Sequence, residues 1–333
     1  MNKINPIAIT MGDPSGIGTE ITLKAWKSGK IKHPFFLIHD LEFVNSVARK
    51  MKIDIPLIRI EDPSQASNLY KKSLPIYQLS SIKKTQLGKP KKQNAKLIIE
   101  SINLALNFVK KNKASAIVTN PIAKNIINYH IKNFRGHTEY LAAKTRSKNF
   151  SMMLINKKIK VIPLTIHIAL KDVSKSINKK NLSEALKSIK KSLKEDFKIK
   201  RPKILVTGLN PHSGEDGQIG QEEKKIIVPT INNLRKNMYV YGPISADTAF
   251  TQKNLKTYDA VLCMYHDQAL IPVKTIDFYN TINFTAGLNI IRTSPDHGTG
   301  FDIASKFIAN ENSLVEAIKM AEQIVKNRNS INK

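Results

Sequence analysis

The 333-residue chain has a single cysteine, Cys263. A disulfide framework is thereby excluded, and a cytoplasmic setting is expected. Cys263 lies inside an apolar run and reads as a small buried hydrophobe, not as a nucleophile. There is no uninterrupted apolar run of roughly 18 residues, so no transmembrane helix is expected. The opening MNKINPIAITMGD passes straight into a strand pattern, without the architecture of a secretory signal. Acidic residues are scarce: 26 Asp and Glu stand against 54 Lys and Arg, a net charge of +28. Taken alone, that excess suggests nucleic acid or an anionic surface. It is spread, however, in short clusters such as Lys71-Lys72, Lys83-Lys84, Lys91-Lys92, Lys110-Lys111 and Lys190-Lys191. No aromatic-interleaved basic ribbon and no zinc-finger spacing accompanies it, so specific nucleic-acid binding is not expected. A Walker loop, a G-x-G-x-x-G turn and internal repeats are also missing.

What the chain does have is 41% apolar residues, enough for a sizeable core. Strand patterns at Pro6–Met11, Phe35–His39, Pro56–Ile60, Ala116–Thr119, Val161–Ile166, Lys203–Gly208 and Asp259–Met264 alternate with helical ones. The helical stretches are Ile21–Trp26, Gln93–Lys111, Glu139–Lys144, Asn181–Glu195 and Ser313–Lys326. A further helix is expected to start at Asn120-Pro121, and Asn181 with Glu184 resembles a capping box. Pro63–Pro90 reads as polar and irregular. This alternation predicts an α/β fold with a largely parallel core.

Polar residues concentrate in Val261–Ala304, where Lys274, Asn283 and Arg292 lead to Asp296-His297-Gly298-Thr299-Gly300. A lysine and an arginine suit an anionic substrate. The Gly-Thr-Gly turn allows a backbone to approach a cofactor. Gly12-Asp13-Pro14-Ser15-Gly16, between a strand and a helix, is either a tight βα turn or an anion or cofactor contact. His137 and Thr138 stand at a helix entry, where they could hold a phosphate or a carboxylate, or Thr138 could simply cap the helix. His167, His212 and His266 each follow an apolar strand run. In open α/β sheets the carboxyl ends of the strands form the ligand crevice. Three imidazoles arriving there form either an open divalent-metal site or three hydrogen-bonded loop residues. His33, His39 and His130 read as structural or solvent-facing.

Six blocks, ITMGDPSGIGTE, RGHTEYLA, GLNPHSGEDGQIGQEE, SADTAF, YHDQALIPVK and GLNIIRTSPDHGTGFDIA, occur in this order between residue 7 and about residue 306. Together they resemble the 4-hydroxythreonine-4-phosphate dehydrogenase (PdxA) family of vitamin B6 biosynthesis. More distantly, Gly12–Glu20 resembles the early turn of the isocitrate/isopropylmalate dehydrogenases, with Thr19 where proline is common. The resemblance implies a two-domain isocitrate/isopropylmalate dehydrogenase-like α/β fold with a cleft between domains. Residues 1–130 plus 275–333 would form the cofactor-side domain, and 131–274 the domain of metal ligands and dimerisation. It implies a homodimer with its active site at the subunit interface. His167, His212 and His266 would bind one divalent metal (zinc, magnesium or cobalt), shared across that interface. His137, Thr138, Lys274, Asn283 and Arg292 match substrate-binding positions. The implied cofactor is NAD or NADP, with Gly12, Asp13, Asp296, His297 and Gly298 as candidates to face it.

The implied reaction is oxidation of 4-phosphooxy-L-threonine at C3 to 2-amino-3-oxo-4-phosphooxybutanoate, which loses CO2 to give 3-amino-2-oxopropyl phosphate. The metal would bind the C3 hydroxyl and stabilise developing alkoxide. Lys274, Asp247 and Asp267 are the candidates for the proton acceptor. The nearest alternative is a sister enzyme that oxidises D-erythronate or D-threonate 4-phosphate, which carries a hydroxyl instead of an amine at C2. No membrane association is expected.

Overall fold

The structure, a computed structural model, describes residues 4–82 and 85–330; the basic pair Lys83-Lys84 lies outside them. The chain forms two compact units, Met1–Arg146 with Asn289–Lys326, and Ser147–Leu288 with Asn327–Lys333. Strands β1 (Ile7–Thr10), β2 (Phe35–His39), β3 (Leu57–Ile60), β4 (Leu74–Gln78) and β5 (Ile117–Thr119) belong to the first unit. The second holds β6 (Ser151–Ile155), β7 (Lys160–Pro163), β8 (Lys203–Thr207), β9 (Tyr239–Ile244), β10 (Ala260–Cys263) and β11 (Ile282–Ala286). β12 (Arg292–Pro295) returns to the first.

In the first unit the strand order is β3-β4-β2-β1-β5-β12, and every pair is parallel. β1, IAIT, and β2, FFLIH, are buried at every position, as strands covered on both faces must be. The helix Ala95–Lys110 buries Ile98, Ile102, Ala105 and Leu106, an i, i+4, i+7, i+8 stripe. The second unit has the order β11-β6-β7-β10-β8-β9. β6 runs antiparallel to both β11 and β7, while β7, β10, β8 and β9 are parallel to one another. Leu154, Val161, Leu205, Val261, Cys263 and Val273 pack together in its core. Burial pushes the Cys263 thiol well up, so it is an inert core residue. Among the described residues no helix is long and apolar enough to cross a membrane.

Several expectations are corrected. The stretch 63–90 is not irregular throughout: Leu74–Gln78 is β4, paired on both sides with β2 and β3. No helix starts at Asn120-Pro121; the next one is Lys124–Ile127. Asn120 and Pro121 serve the turn instead, Asn120 Nδ2 donating to Thr10 O at 3.1 Å and Asp13 N donating to Pro121 O at 2.9 Å. The helix Lys179–Glu195 is capped by Asn178, whose side chain accepts from Asn181 N at 2.9 Å. β12 reads RTSP and carried no strand signal, yet all four residues are buried. Its polar groups are paired internally, Thr293 Oγ1 donating to Ala317 O at 2.8 Å.

The units divide at 146/147 and 288/289, later than the expected 130/131 and 274/275. The helix His137–Thr145 stays with the first unit because Tyr140 OH donates to Asn103 at 2.8 Å and Lys110 Nζ to Lys144 O at 2.9 Å. β11 stays with the second because it pairs with β6 from Ile282↔Ile155 to Ala286↔Ser151. The last residues also join the second unit, where Arg328 Nε lies 2.6 Å from Asp196 Oδ1.

Candidate active site

In the first unit, β1 is flanked by β2 on one side and β5 on the other. Strand order therefore reverses there, and the crevice beyond the carboxyl ends of β1 and β5 is the natural ligand position. Gly12 follows β1 with φ +74, and a Cβ on it would stand 2.7 Å from Asn120 Cβ. Only glycine fits that close approach. Asp13 Oδ1 accepts from Ser15 N at 2.9 Å, while Oδ2 is buried with no hydrogen-bond partner among the described residues. Burial pushes this carboxyl up to about 6. Asn120 Oδ1, at the end of β5, is likewise buried and unpaired. The loop after β12 closes onto the same turn: Ile17 N donates to Thr299 O at 2.9 Å, and a Cβ on Gly16 would meet that oxygen at 2.6 Å. Gly12 and Asp13 are thus brought to the Asp296–Gly300 loop. Gly298 is exposed there, with open space where a side chain would go.

His137 opens the helix His137–Thr145 behind Gly136, which offers no side-chain cap. Thr138 lies inside the first turn, so it is not the cap. His137 Nε2 is buried without a partner among the described residues. Burial, then the charges of Arg292 and Lys124, hold this imidazole well below its ordinary 6.5, so it is neutral. Arg292 opens β12, where it pairs in register with Ile117 of β5. Its side chain is buried, with Nε and Nη2 donating to Thr119 Oγ1 at 3.1 and 2.7 Å. Burial lowers the guanidinium to about 10, which leaves it charged at neutral pH. A fixed cation, the Lys124 ammonium and a neutral ring nitrogen together suit an oxyanion.

In the second unit β7, β10 and β8 are neighbours. Their carboxyl ends lead to His167, His266 and His212 in turn. The pairing of β7 and β10 continues past the strands, with Leu164 N donating to Cys263 O at 2.8 Å and Thr165 Oγ1 to Met264 O at 2.8 Å. The His167 and His266 rings consequently stand 5.9 Å apart between centroids. His266 begins the helix His266–Ile276, and its Nδ1 lies 2.7 Å from Asp267 Oδ1. That contact assigns Nδ1 to the carboxylate and turns Nε2 toward a further partner. Both rings line a cavity of about 470 Å³, together with Asp267, Ile168, Leu170 and Ile271. His167 and His212 both lie on left-handed backbone, with φ 47 and 50, and both are exposed. Within one chain, among the described residues, no three His, Cys, Asp or Glu side chains converge as a metal-ligand set.

Lys274 lies on the His266 helix with Nζ 5.2 Å from the Phe278 ring centroid. Asn283 lies on β11, its Oδ1 buried without a partner among the described residues. Asp247 is exposed beyond β9, and Asp267 is committed to His266. Sequence reasoning missed Thr119, Asn120 and Lys124. The signal was a strand, Ile117–Thr119, that ends on polar residues beside a proline. It also missed Glu222, Glu223 and Gln268, which serve the histidine loops from a distance in sequence.

The chain matches the model of the family described as pyridoxal phosphate biosynthetic protein PdxA over residues 30–321. It is 40% identical over 331 residues to the 4-hydroxythreonine-4-phosphate dehydrogenase of Zymomonas mobilis subsp. mobilis, covering 98% of this chain and 97% of that one. Its fold is similar to the crystal structure of 4-hydroxythreonine-4-phosphate dehydrogenase from Klebsiella pneumoniae, with a TM-score of 0.85 and 33% identity over 96% of this chain and 99% of that one. Isocitrate dehydrogenase from Methylococcus capsulatus shares the fold alone, at a TM-score of 0.51 and 10% identity, over 99% of this chain and 88% of that one. With these likenesses spanning both units, the chain belongs to the PdxA family.

Proposed function

We propose that this enzyme is a metal-dependent, NAD- or NADP-linked dehydrogenase that oxidises 4-phosphooxy-L-threonine at C3. The product, 2-amino-3-oxo-4-phosphooxybutanoate, is a β-keto acid that decarboxylates to 3-amino-2-oxopropyl phosphate. The observation that carries this reading is the buried Arg292 guanidinium beside a neutral His137 whose Nε2 has no partner among the described residues. A doubly charged phosphate or a carboxylate supplies what both groups need. Arg292, held by Thr119, binds and orients an anionic end of the substrate, and His137 with Thr138 completes that contact. Lys274 and Asn283 are the substrate groups of the second unit, and Lys274, as the free amine, is the acceptor of the C3 hydroxyl proton. Asp267 is set aside as the base because its carboxylate orients His266.

His167, His212 and His266 fit a divalent cation: three neutral-capable imidazoles at adjacent strand ends, one with its second nitrogen held by a carboxylate. We assign the ligands to a site shared by two copies of the chain. In support, Leu170 and Ile271 beside these histidines are 73% and 66% exposed, an apolar rim suited to a second subunit. Asp13, Asn120 and the open Gly298 fit the polar edge and backbone of a dinucleotide. When bound, the metal supplies Lewis acidity at the C3 oxygen and the nicotinamide accepts the hydride. A cytoplasmic setting belongs to the same reading, supported by the single, buried Cys263.

The test is nicotinamide reduction by metal-stripped and metal-restored protein, with 4-phosphooxy-L-threonine and D-erythronate 4-phosphate offered side by side. Metal-dependent turnover of the first is expected. Turnover of the second alone would keep the mechanism and move the substrate to the hydroxyl series.

A further inference from the structure

His212 lies on an unusual piece of backbone. From His212 to Asp216, five consecutive residues have φ between 40 and 84, and only Gly214 adopts that region without steric cost. Side-chain-bearing residues do not hold such a run unaided, so the surroundings must impose it. The carboxylate of Glu223, only 5% exposed, is packed against this loop. Its Oε1 accepts from Leu209 N at 2.7 Å and from Asn210 N at 2.8 Å, and its Oε2 accepts from Asn210 Nδ2 at 2.9 Å. The two residues immediately before Pro211-His212 are thus gripped by one side chain. The loop is cut to admit it: a Cβ on Gly208 would stand 3.1 Å from Oε1, and one on Gly214 would stand 2.7 Å from Oε2.

Two further side chains fasten the same loop to its neighbours. Glu222 Oε2 accepts from Asn210 Nδ2 at 2.9 Å, and its Oε1 accepts from the hydroxyl of Ser174, on the short helix Val173–Ser176 that follows the His167 segment. Gln268 lies two residues beyond His266. Its Oε1 accepts from Thr207 Oγ1 at 2.8 Å and Met264 N at 2.7 Å, and its Nε2 donates to Gly208 O at 2.9 Å. The His212 loop is therefore tied to both other histidine segments, with Glu223 at the centre.

We propose that Glu223 is the positioning residue for His212, fixing the left-handed turn so that the imidazole is presented to a divalent cation. The proposal rests on the assignment of His212 as a metal ligand. It separates from that assignment by experiment, with cobalt(II) as the probe, titrated by calorimetry and by its visible absorption on purified dimer or monomer alike. Glu223→Gln keeps the volume and puts an NH2 group where an acceptor is required. It should weaken cobalt affinity on the order of 10- to 100-fold, the range for lost outer partners of metal ligands. In a His212→Ala background the same substitution should leave the remaining affinity unchanged, because the effect travels only through His212.

An equal loss in both backgrounds would make Glu223 a general structural residue and overturn the proposal. So would full affinity in Glu223→Gln while His212→Ala loses the metal. Wild-type affinity in His212→Ala would instead remove the metal assignment, and this inference with it. Should Glu223→Gln not fold, Asn210→Ala reads the same coupling: a loss of a few-fold in the wild-type background and none beside His212→Ala supports the proposal, and no difference between the backgrounds overturns it.

Discussion

The first unit buries the polar groups at its strand ends. Asp13 and Asn120 are at most 1% exposed, Arg292 is 4% exposed, and Thr119 holds the guanidinium in place. The second unit exposes its own: His167 and His212 stand in solvent on left-handed backbone, and Asp267 beside His266 is 71% exposed. Both units use the carboxyl ends of parallel strands, but they prepare different chemistry there. A fixed guanidinium beside a neutral imidazole is an anion site finished within one chain. Exposed imidazoles beside an apolar rim are the groups to which the proposed function assigns a cation and a second copy of the chain.

Substitutions can break this contrast in either direction. The largest effect is expected for His167→Ala. If His167 holds the proposed cation, whose Lewis acidity stabilises alkoxide by several kcal/mol, its loss should lower kcat on the order of 10³-fold, while dinucleotide affinity, measured by fluorescence, stays unchanged. Unaltered kcat with full metal content would show that the second unit does not hold the metal.

Asp13→Asn comes next and reads the first unit alone. The folded Asp13 carboxyl titrates near 6 against 3.8 for the free group, so at neutral pH its ionisation in the fold costs up to about 3 kcal/mol. A raised acid favours the fold below the unfolded value and loses that advantage as pH rises through about 6. His39 does the opposite. Buried beside Thr19, it is pushed down to about 4 from 6.5, so it stays neutral while the unfolded chain takes up a proton. Stability should therefore fall, by up to about 3 kcal/mol, as pH drops from 6.5 to 4. In the wild type the two slopes oppose each other. Asp13→Asn should raise stability at neutral pH and uncover the His39 slope in urea midpoints taken across that range. A variant with the wild-type pH profile would contradict the assigned Asp13 titration.

Arg292→Ala should cost about 100-fold in kcat/KM for the phosphorylated substrate, through the loss of charge-assisted hydrogen bonds. Cobalt affinity should not change, the reverse of His167→Ala, and Arg292→Lys should restore little because the fork geometry is lost. If Arg292→Ala also released the metal, the two units would not divide the work as described. The smallest effect is expected for Leu170→Ser on the exposed rim. Removing one apolar side chain from a subunit contact should weaken self-association about tenfold in sedimentation equilibrium. No change in association would place the subunit contact elsewhere.

Much of this was legible in the sequence, for a physical reason. Runs such as Phe35–His39 are apolar throughout, and strands buried on both faces have no other way to be written. The helix Ala95–Lys110 declares its buried face by spacing. The histidines were legible because each follows such a run. β12 was illegible because three of its four residues, RTSP, are polar, and Arg292 and Thr293 find their partners far away in the chain. The same holds for Glu223, whose three contacts lie 13 or 14 residues back in the chain.

The sequence by itself determined the α/β alternation, the family, the neutral core role of Cys263 and which residue types arrive at the strand ends. Those follow from local patterns of apolarity and from motifs that survive reading in one dimension. Only the tertiary structure decided that β7, β10 and β8 are neighbours, that Arg292 reaches Thr119 beside a neutral His137, and that one buried carboxylate binds the backbone just ahead of His212. Strand order, desolvation and long-range hydrogen bonds depend on which surfaces meet, and no local stretch of chain carries that information.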